Sequence, residues 1–229
     1  MLTIASVLKS GGDYRPEHVL RLRDMVARHM PGADWRFACL TDRPAYDLPG
    51  VICWSMLHDL PGWWSKIELF GMPGSVLYFD LDTIVLDDIT PLADRVRSLG
   101  IYEFMMLRRF HRGDRFASGV MGWSGSFSWL LEAFLREKRS GGFRYMPKGF
   151  YVFEARNTFY GDQSWIAQHL RDAIPPVRVC VAQDALPGIY SWKRHCQRGI
   201  PDDASIICFH GKPRPWEVFP YMDNVLPVV

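Results

Sequence analysis

Residues 76–88 read VLYFDLDTIVLDD, an apolar run that ends in two aspartates one residue apart. Val76, Leu77, Tyr78 and Phe79 are β-prone and follow Pro73, Gly74 and Ser75, the pattern of an internal sheet strand opened by a turn. Asp80 and Asp82 then fall where that strand leaves its sheet. Ligands of open α/β sheets bind at such carboxyl ends. Two carboxylates held side by side repel each other unless a cation lies between them. All-oxygen ligation suits Mg²⁺ or Mn²⁺, which often complete their shells with substrate phosphates. The plain alternative is a turn or a helix cap, because Asp commonly ends strands and starts helices. The aspartate pair alone does not decide between them.

Length and composition narrow the setting. The chain has 229 residues, enough for one α/β domain with a sizeable core. A hydrophobic fraction of 48% beside 23% charged residues is that of an ordinary water-soluble globule. Basic and acidic residues nearly balance, at 27 against 25, and no basic block stands out, so nucleic acid is not an expected partner. Cys39, Cys53, Cys180, Cys196 and Cys208 are scattered, without metal-knuckle or disulfide-framework spacing. Four of them lie in apolar, strand-like runs as buried thiols would, which fits a reducing compartment. The opening MLTIASVLKSGG lacks the basic start and long apolar stretch of a signal peptide, and no run is long enough to span a bilayer. The expectation is a cytosolic protein without a transmembrane segment, with peripheral attachment to a membrane left open.

Reading along the chain, Leu2 to Leu8 is predicted as a first strand. A helix follows from Pro16, with Val19, Leu22, Val26 and Met30 on one face. Trp35 to Leu40 and Val51 to Trp54 are the next strands. GWWSKIELFGM reads as a short helix stopped by Pro73 and Gly74. The aspartate strand comes next and is expected to be central. Further strands are predicted at Ile101 to Leu107, at FASGVMGW and at Ser205 to Phe209. Helices are predicted around Phe127 to Phe134 and at GDQSWIAQHLRDA. Residues 139–160 read as an irregular loop, long enough to be functional, with Arg144, Tyr145, Lys148, Tyr151 and Arg156 as a candidate acceptor rim or lid. A surface loop without a role is the equal alternative. Strands alternating with helices, then a mixed second half, predict three layers, α/β/α.

Two further sets of residues draw attention. Asp162 and Gln163 stand at the predicted N-terminus of a helix, where Asp162 serves equally as a cap. In FHGKPRPW (209–216), His210 follows a strand, with Gly211 and Lys212 behind it. A lone His is more often structural than a ligand, and a lone Lys is usually a solvated charge.

Taken in order, these pieces resemble the glycogenin-like family 8 glycosyltransferases of the GT-A fold, over nearly the whole chain. WWSKIELF carries a basic residue ahead of the aspartate strand. LYFDLDTIVLDDITPL is similar to the family's D-x-D segment, FASGVMGW to its F-N-S-G-V strand, GDQSWIAQHL to its G-D-Q helix and CFHGKPRPW to its C-terminal H-x-G-x-x-K-P-W. The resemblance implies a single GT-A domain over 1–229, with a nucleotide-binding half (1–100) and an acceptor and catalytic half (101–229). It implies a metal-dependent hexosyltransferase that uses a nucleotide sugar, UDP-linked by expectation, and retains anomeric configuration. Asp80, Asp82 and His210 would then hold Mn²⁺ (or Mg²⁺) against the diphosphate. Lys212 would neutralise a phosphate, and Gly211 would let the backbone approach closely. Lys66 would face the diphosphate or the donor sugar. The segment with Leu8, Lys9 and Tyr14 would cradle the nucleoside, and Leu81 and Ser118 would line the donor site. Asp162 and Gln163 would sit beside the anomeric carbon. The acceptor, whether glycan, lipid or protein, is not readable.

Two departures stand out. Ala117 replaces the Asn that the family places before Ser-Gly-Val, which puts the donor sugar in doubt. Lys212 follows Gly211 directly, closer than the G-x-x-K spacing of the family pattern, so Arg214 is a candidate to share or take over the phosphate contact. A rival reading is a haloacid-dehalogenase-type phosphatase, because FDLDTIV is similar to that family's nucleophile strand. Asp80 would be phosphorylated there and Asp82 would act as acid and base. That strand normally opens its domain, however, and the family's later lysine and acidic motifs have no clear counterpart. A non-catalytic sugar-nucleotide or carbohydrate-binding protein is the third reading, given weight by Ala117.

Overall fold

The computed structural model describes residues 1–219 apart from 33 and 45, and only the backbone of 112 and 114. The single-domain expectation beyond residue 219 lies outside the described residues. The chain begins with β1 (Leu2–Leu8), α1 (Pro16–His29), β2 (Trp35–Thr41) and β3 (Val51–Ser55), followed by a 3₁₀ helix at Gly62–Gly71. Next come β4 (Ser75–Phe79), β5 (Thr83–Val85), α2 (Thr90–Arg97), β6 (Glu103–Arg109), β7 (Arg112–Trp123) and α3 (Ser128–Ser140). The remainder is β8 (Gly142–Met146), β9 (Phe150–Glu154), β10 (Thr158–Phe159), α4 (Asp162–Asp172), β11 (Arg178–Val181), α5 (Ala182–Ala185), β12 (Ile189–Ser191), α6 (Trp192–His195), β13 (Ile206–Cys208) and α7 (Pro215–Val218).

Seven strands form the central sheet in the order β11-β6-β7-β4-β1-β2-β3. The aspartate strand β4 is therefore central. It runs parallel to β1, while β7 enters antiparallel between β4 and β6. Alternating side chains of one strand face opposite ways, and the sheet uses both faces. Leu77 and Phe79 of β4 join one core cluster with α1, α2 and α5, whereas Val76 and Tyr78 join a second with the 3₁₀ helix, α3 and α4. The result is the expected three-layer α/β/α architecture, a mixed sheet between two helical layers.

The short helix read at GWWSKIELF is present, wound as 3₁₀, and it buries Trp64, Lys66, Ile67, Leu69 and Phe70. One local reading is corrected. Residues 139–160 are not an irregular loop: they hold the end of α3 and an antiparallel three-stranded sheet, β10-β9-β8. Aromatic packing makes that sheet possible. Phe143 and Phe153 pack on each other and on Trp64 and Phe134. Such clusters stabilise strands too short to be stable alone.

The end of β4 is shaped by β7. Their pairing stops at Phe79 opposite Val120, and the Asp80 N–H then donates to the Gly119 carbonyl at 2.9 Å. Across from β6 the register of β7 jumps, from Met106 opposite Met121 to Leu107 opposite Ala117. A bulge of this kind re-aims side chains at a sheet rim, and here it falls on Ser118 and Gly119. A Cβ on Gly119 would stand 3.3 Å from Asp80 Oδ2, so glycine gives the carboxylate its room.

Candidate active site

Beyond the carboxyl end of β4 lies a cleft of about 800 Å³, bordered by Lys9–Tyr14 after β1, Pro61–Lys66, Tyr78–Asp82, Gly149–Tyr151 and the Phe209–Gly211 turn. Segment 149–151 of the small sheet thus forms one rim. Trp64 fastens that rim through its indole N–H, which donates to the Tyr151 carbonyl at 3.0 Å.

Four predicted residues converge on one point. Lys66, buried in the 3₁₀ helix, donates to Asp80 Oδ1 at 2.8 Å and lies 3.5 Å from Asp162 Oδ2. The Ser118 hydroxyl donates to Asp162, and the Tyr78 hydroxyl to Asp80. Burial alone would lower the Lys66 pKa, but the carboxylates of Asp162 and Asp80 outweigh it and hold the ammonium protonated. Sequence reasoning did not find Tyr78, which alternation places on the face opposite Phe79.

Asp82 is buried on the other side. Arg214 Nη1 meets its Oδ2 at 2.5 Å and donates to the Tyr14 hydroxyl at 2.7 Å. Burial, reinforced by Asp80, pushes the Asp82 pKa up to about 7, while Arg214 and a hydrogen bond with Tyr14 oppose the rise. Arg214 is carried here by the folded-back α7. Trp216 stacks on His18 of α1 with centroids 3.8 Å apart, and Tyr14 lies edge-on to it.

The other predicted residues are distributed unevenly. Lys9 borders the cleft and pairs with Asp59 at 2.6 Å. Leu81 lines the cleft, whereas the Leu8 side chain is buried in the core. Gly211 takes a left-handed φ of 76°, a conformation glycine adopts without strain. Lys212 points elsewhere: its ammonium pairs with Glu217 at 2.7 Å, and Arg214 is the cation of this segment that reaches the aspartates. His210 lies at the cleft wall. Its crowded surroundings lower its pKa, an effect to which Lys193, His111 and Arg109 add and which Asp80 opposes. A second cavity of about 340 Å³ shares His210 with the main cleft and is also bordered by Ala117 and Gln163.

Whether Asp80, Asp82 and His210 suit a divalent metal can be tested on this geometry. Two carboxylates and an imidazole are the right donor types. Among the described residues, however, no group of three His, Cys, Asp or Glu side chains is arranged to hold an ion. Lys66 and Arg214 already answer the two carboxylates. As arranged, the residues do not fit a metal.

This combination of mixed sheet and strand-end cleft is the GT-A fold of glycosyltransferases. An active-site glutamine-to-glutamate mutant of the protein LgtC superposes with a TM-score of 0.61 at 12% identity, covering 99% of this chain and 97% of LgtC. The galactosyltransferase LgtC in complex with donor and acceptor sugar analogues gives 0.55 at 13% identity, with the same coverage. The glycosyltransferase GlyE of Streptococcus pneumoniae gives 0.59 at 16% identity, covering 94% of this chain but only 57% of GlyE. No protein-family model and no curated protein sequence matches the chain. These likenesses establish the fold and do not favour the phosphatase reading. No helix of the described residues is long and apolar enough to cross a membrane.

Proposed function

We propose that the protein is a glycosyltransferase that moves a hexose from a nucleotide sugar, UDP-linked by the family resemblance, to an acceptor with retention of configuration. The observation that carries the reading is the convergence of Lys66, Asp80, Ser118 and Asp162 at the carboxyl end of the central strand of a GT-A fold. In the transfer, the bond between the sugar's C1 and the diphosphate oxygen breaks and its electron pair leaves with the diphosphate, while an acceptor oxygen bonds to C1 and gives up its proton to the departing diphosphate or to solvent. Lys66 and Arg214, the cations nearest the two aspartates, are assigned the charge of that leaving group. Tyr14 is assigned to the nucleoside. Asp162, held by Ser118 and Lys66, faces the region where C1 becomes electron-poor. Mn²⁺ or Mg²⁺ remains part of the proposal only through the donor types of Asp80, Asp82 and His210, and no step is assigned to it.

The test is nucleotide binding and release. Calorimetry with UDP, GDP and ADP should show one preferred nucleotide, and the matching nucleotide hexoses should slowly release it. Absence of binding by all three would overturn the reading.

A further inference from the structure

Two consecutive tryptophans at the start of the 3₁₀ helix part ways. Trp64 is fully buried, whereas Trp63 keeps 43% of its surface in solvent and borders the cleft. Trp63 is not loose there. Its ring lies close to parallel with that of Phe150, the first residue of β9, with centroids 5.9 Å and planes 27° apart. Phe150 borders the cleft as well. Next to Phe150, Tyr151 pairs with Tyr145 across β9 and β8 at 4.9 Å, the two rings 37% and 60% exposed. Single exposed aromatics are ordinary, but paired rings along the rim of one cleft leave joined apolar surface in water and point to a ligand. The rim is braced from below. Trp64 holds the Tyr151 carbonyl, and Phe143 and Phe153, on the same face of the hairpin as the two tyrosines, pack into the core.

Position says what this platform holds. Residues i and i+3 of a 3₁₀ helix eclipse, so Trp63 stands one turn, about 6 Å, before Lys66 on the same side of the helix. Lys66 touches Asp80 and Asp162, which places the platform beside the region assigned to C1. The nucleoside is assigned elsewhere. Tyr14 packs with α1 on one face of the central sheet, whereas Trp64 and Phe153, which carry the platform, pack with α3 on the other. The rest of the cleft is polar, with Lys9, Ser10, Asp13 and Asp80 along it. An occupant apolar on one side and polar on the other matches both surfaces. A pyranose is such a molecule, because its ring C–H bonds form an apolar face and its hydroxyls lie around the edge. We infer that Trp63 and Phe150, with Tyr151 beside them, form the acceptor subsite, and that it takes a neutral pyranose stacked on the rings with one hydroxyl turned toward C1. The inference rests on the glycosyltransferase reading. An alkyl chain would gain on the rings but would strip water from the polar wall without replacing its hydrogen bonds.

The experiment titrates the full chain, saturated with UDP, with cellobiose, lactose and methyl β-glucoside, and follows the sugar protons by NMR. At least one sugar should bind, with its ring C–H protons shifted upfield by the aromatic faces. Trp63→Leu and Phe150→Leu should each weaken that binding about tenfold, as loss of an aromatic anchor does. Trp63→Phe keeps a ring and should weaken it by less than about threefold. Trp63 is exposed, so these replacements leave the core intact, and UDP affinity should stay within about twofold in each variant. Four results would overturn the proposal. They are no sugar binding to the UDP-loaded protein, undiminished binding in both leucine variants, displacement of the sugar by n-octanol, and a loss of UDP affinity in Trp63→Leu as large as the loss of sugar affinity, which would give the platform to the nucleobase. Failure of the wild-type chain to bind UDP at all would instead remove the glycosyltransferase reading, and the acceptor assignment with it.

Discussion

Arg214 and Asp82, 132 residues apart in the chain, meet at 2.5 Å between Nη1 and Oδ2 in the floor of the cleft. The contact joins the segment that closes the site to the turn beyond the central strand. It also means that Asp82 is not free: any added cation competes with a guanidinium already seated there. Arg214→Gln removes the competitor. At about pH 8, where Asp82 is ionised, the variant should bind Mn²⁺ about tenfold more tightly than wild type, ~1.4 kcal/mol. Manganese titration followed by electron paramagnetic resonance measures this without nucleotide. Equal affinity would show that Arg214 does not guard the carboxylates.

Asp82 also makes a pH prediction. Its pKa of about 7 in the folded protein stands above the ordinary value of 3.8. The folded state therefore holds a proton that the unfolded state has lost between these values. Stability from this group is present at low pH and falls as pH rises from about 4 to about 7, by at most roughly 4 kcal/mol. Asp82→Asn cannot titrate. The stability of the variant relative to wild type should rise across that window and level off above it. Denaturant melts of metal-free protein at several pH values test this, and a constant difference would show that the Asp82 pKa is ordinary.

The central strand was legible because burial leaves a direct mark on sequence: VLYF is apolar on both faces, and the aspartates begin where the apolar run stops. Most other boundaries moved by a residue or two, but β7 begins at Arg112 rather than Phe116, α3 runs on past Phe134 to Ser140, and α2 and β11 were not read from the sequence. The sheet at 142–159 was missed although its aromatic runs, FRYM and FYVFE, flank a turn containing Pro147 and Gly149. Its stability comes from Trp64 and Phe134, and no local pattern carries such distant contacts. The Lys66–Asp80–Asp162 convergence follows motif order. Trp63 and Phe150 do not form a motif, because only the fold brings the 3₁₀ helix against β9. Arg214 lies three residues after Gly211 and directly before Pro215 and Trp216, the place of the Lys in G-x-x-K-P-W, and it is Arg214, and not Lys212, that reaches Asp82.

Asp162→Asn separates binding from chemistry. Asp162 is buried and held by Ser118 and Lys66, and its charge matters most when C1 becomes electron-poor. The variant should keep nucleotide affinity within about threefold and lose about 100-fold in turnover. A mere cap role predicts the reverse, a loss of about 1 kcal/mol of stability with turnover intact. Melting temperature and rate, taken on one preparation, distinguish the two.

Two glycines of β7, three residues apart, should fail in different ways. A methyl on Gly122 would stand 2.4 Å from Val96 Cγ2 of α2 and 2.8 Å from Met105 Cε of β6. Both neighbours are fully buried, so the helix must move off the sheet. Overpacking of this kind costs about 1–3 kcal/mol, which in a chain of this size lowers the melting temperature by about 2–4 °C per kcal/mol. A methyl on Gly119 meets no backbone. It stands 3.3 Å from Asp80 Oδ2 and 3.7 Å from Leu107, so the carboxylate must give way. That shift carries Asp80 against Lys66, its partner at 2.8 Å, and away from its place at the cleft. Gly119→Ala should therefore melt within about a degree of wild type, because only an adaptable side chain is displaced, and should bind UDP more weakly. Gly122→Ala should melt several degrees lower and, below its transition, bind UDP as wild type does. If Gly119→Ala binds UDP normally, the position of Asp80 does not govern nucleotide binding, and the cleft at the end of β4 loses its assigned ligand.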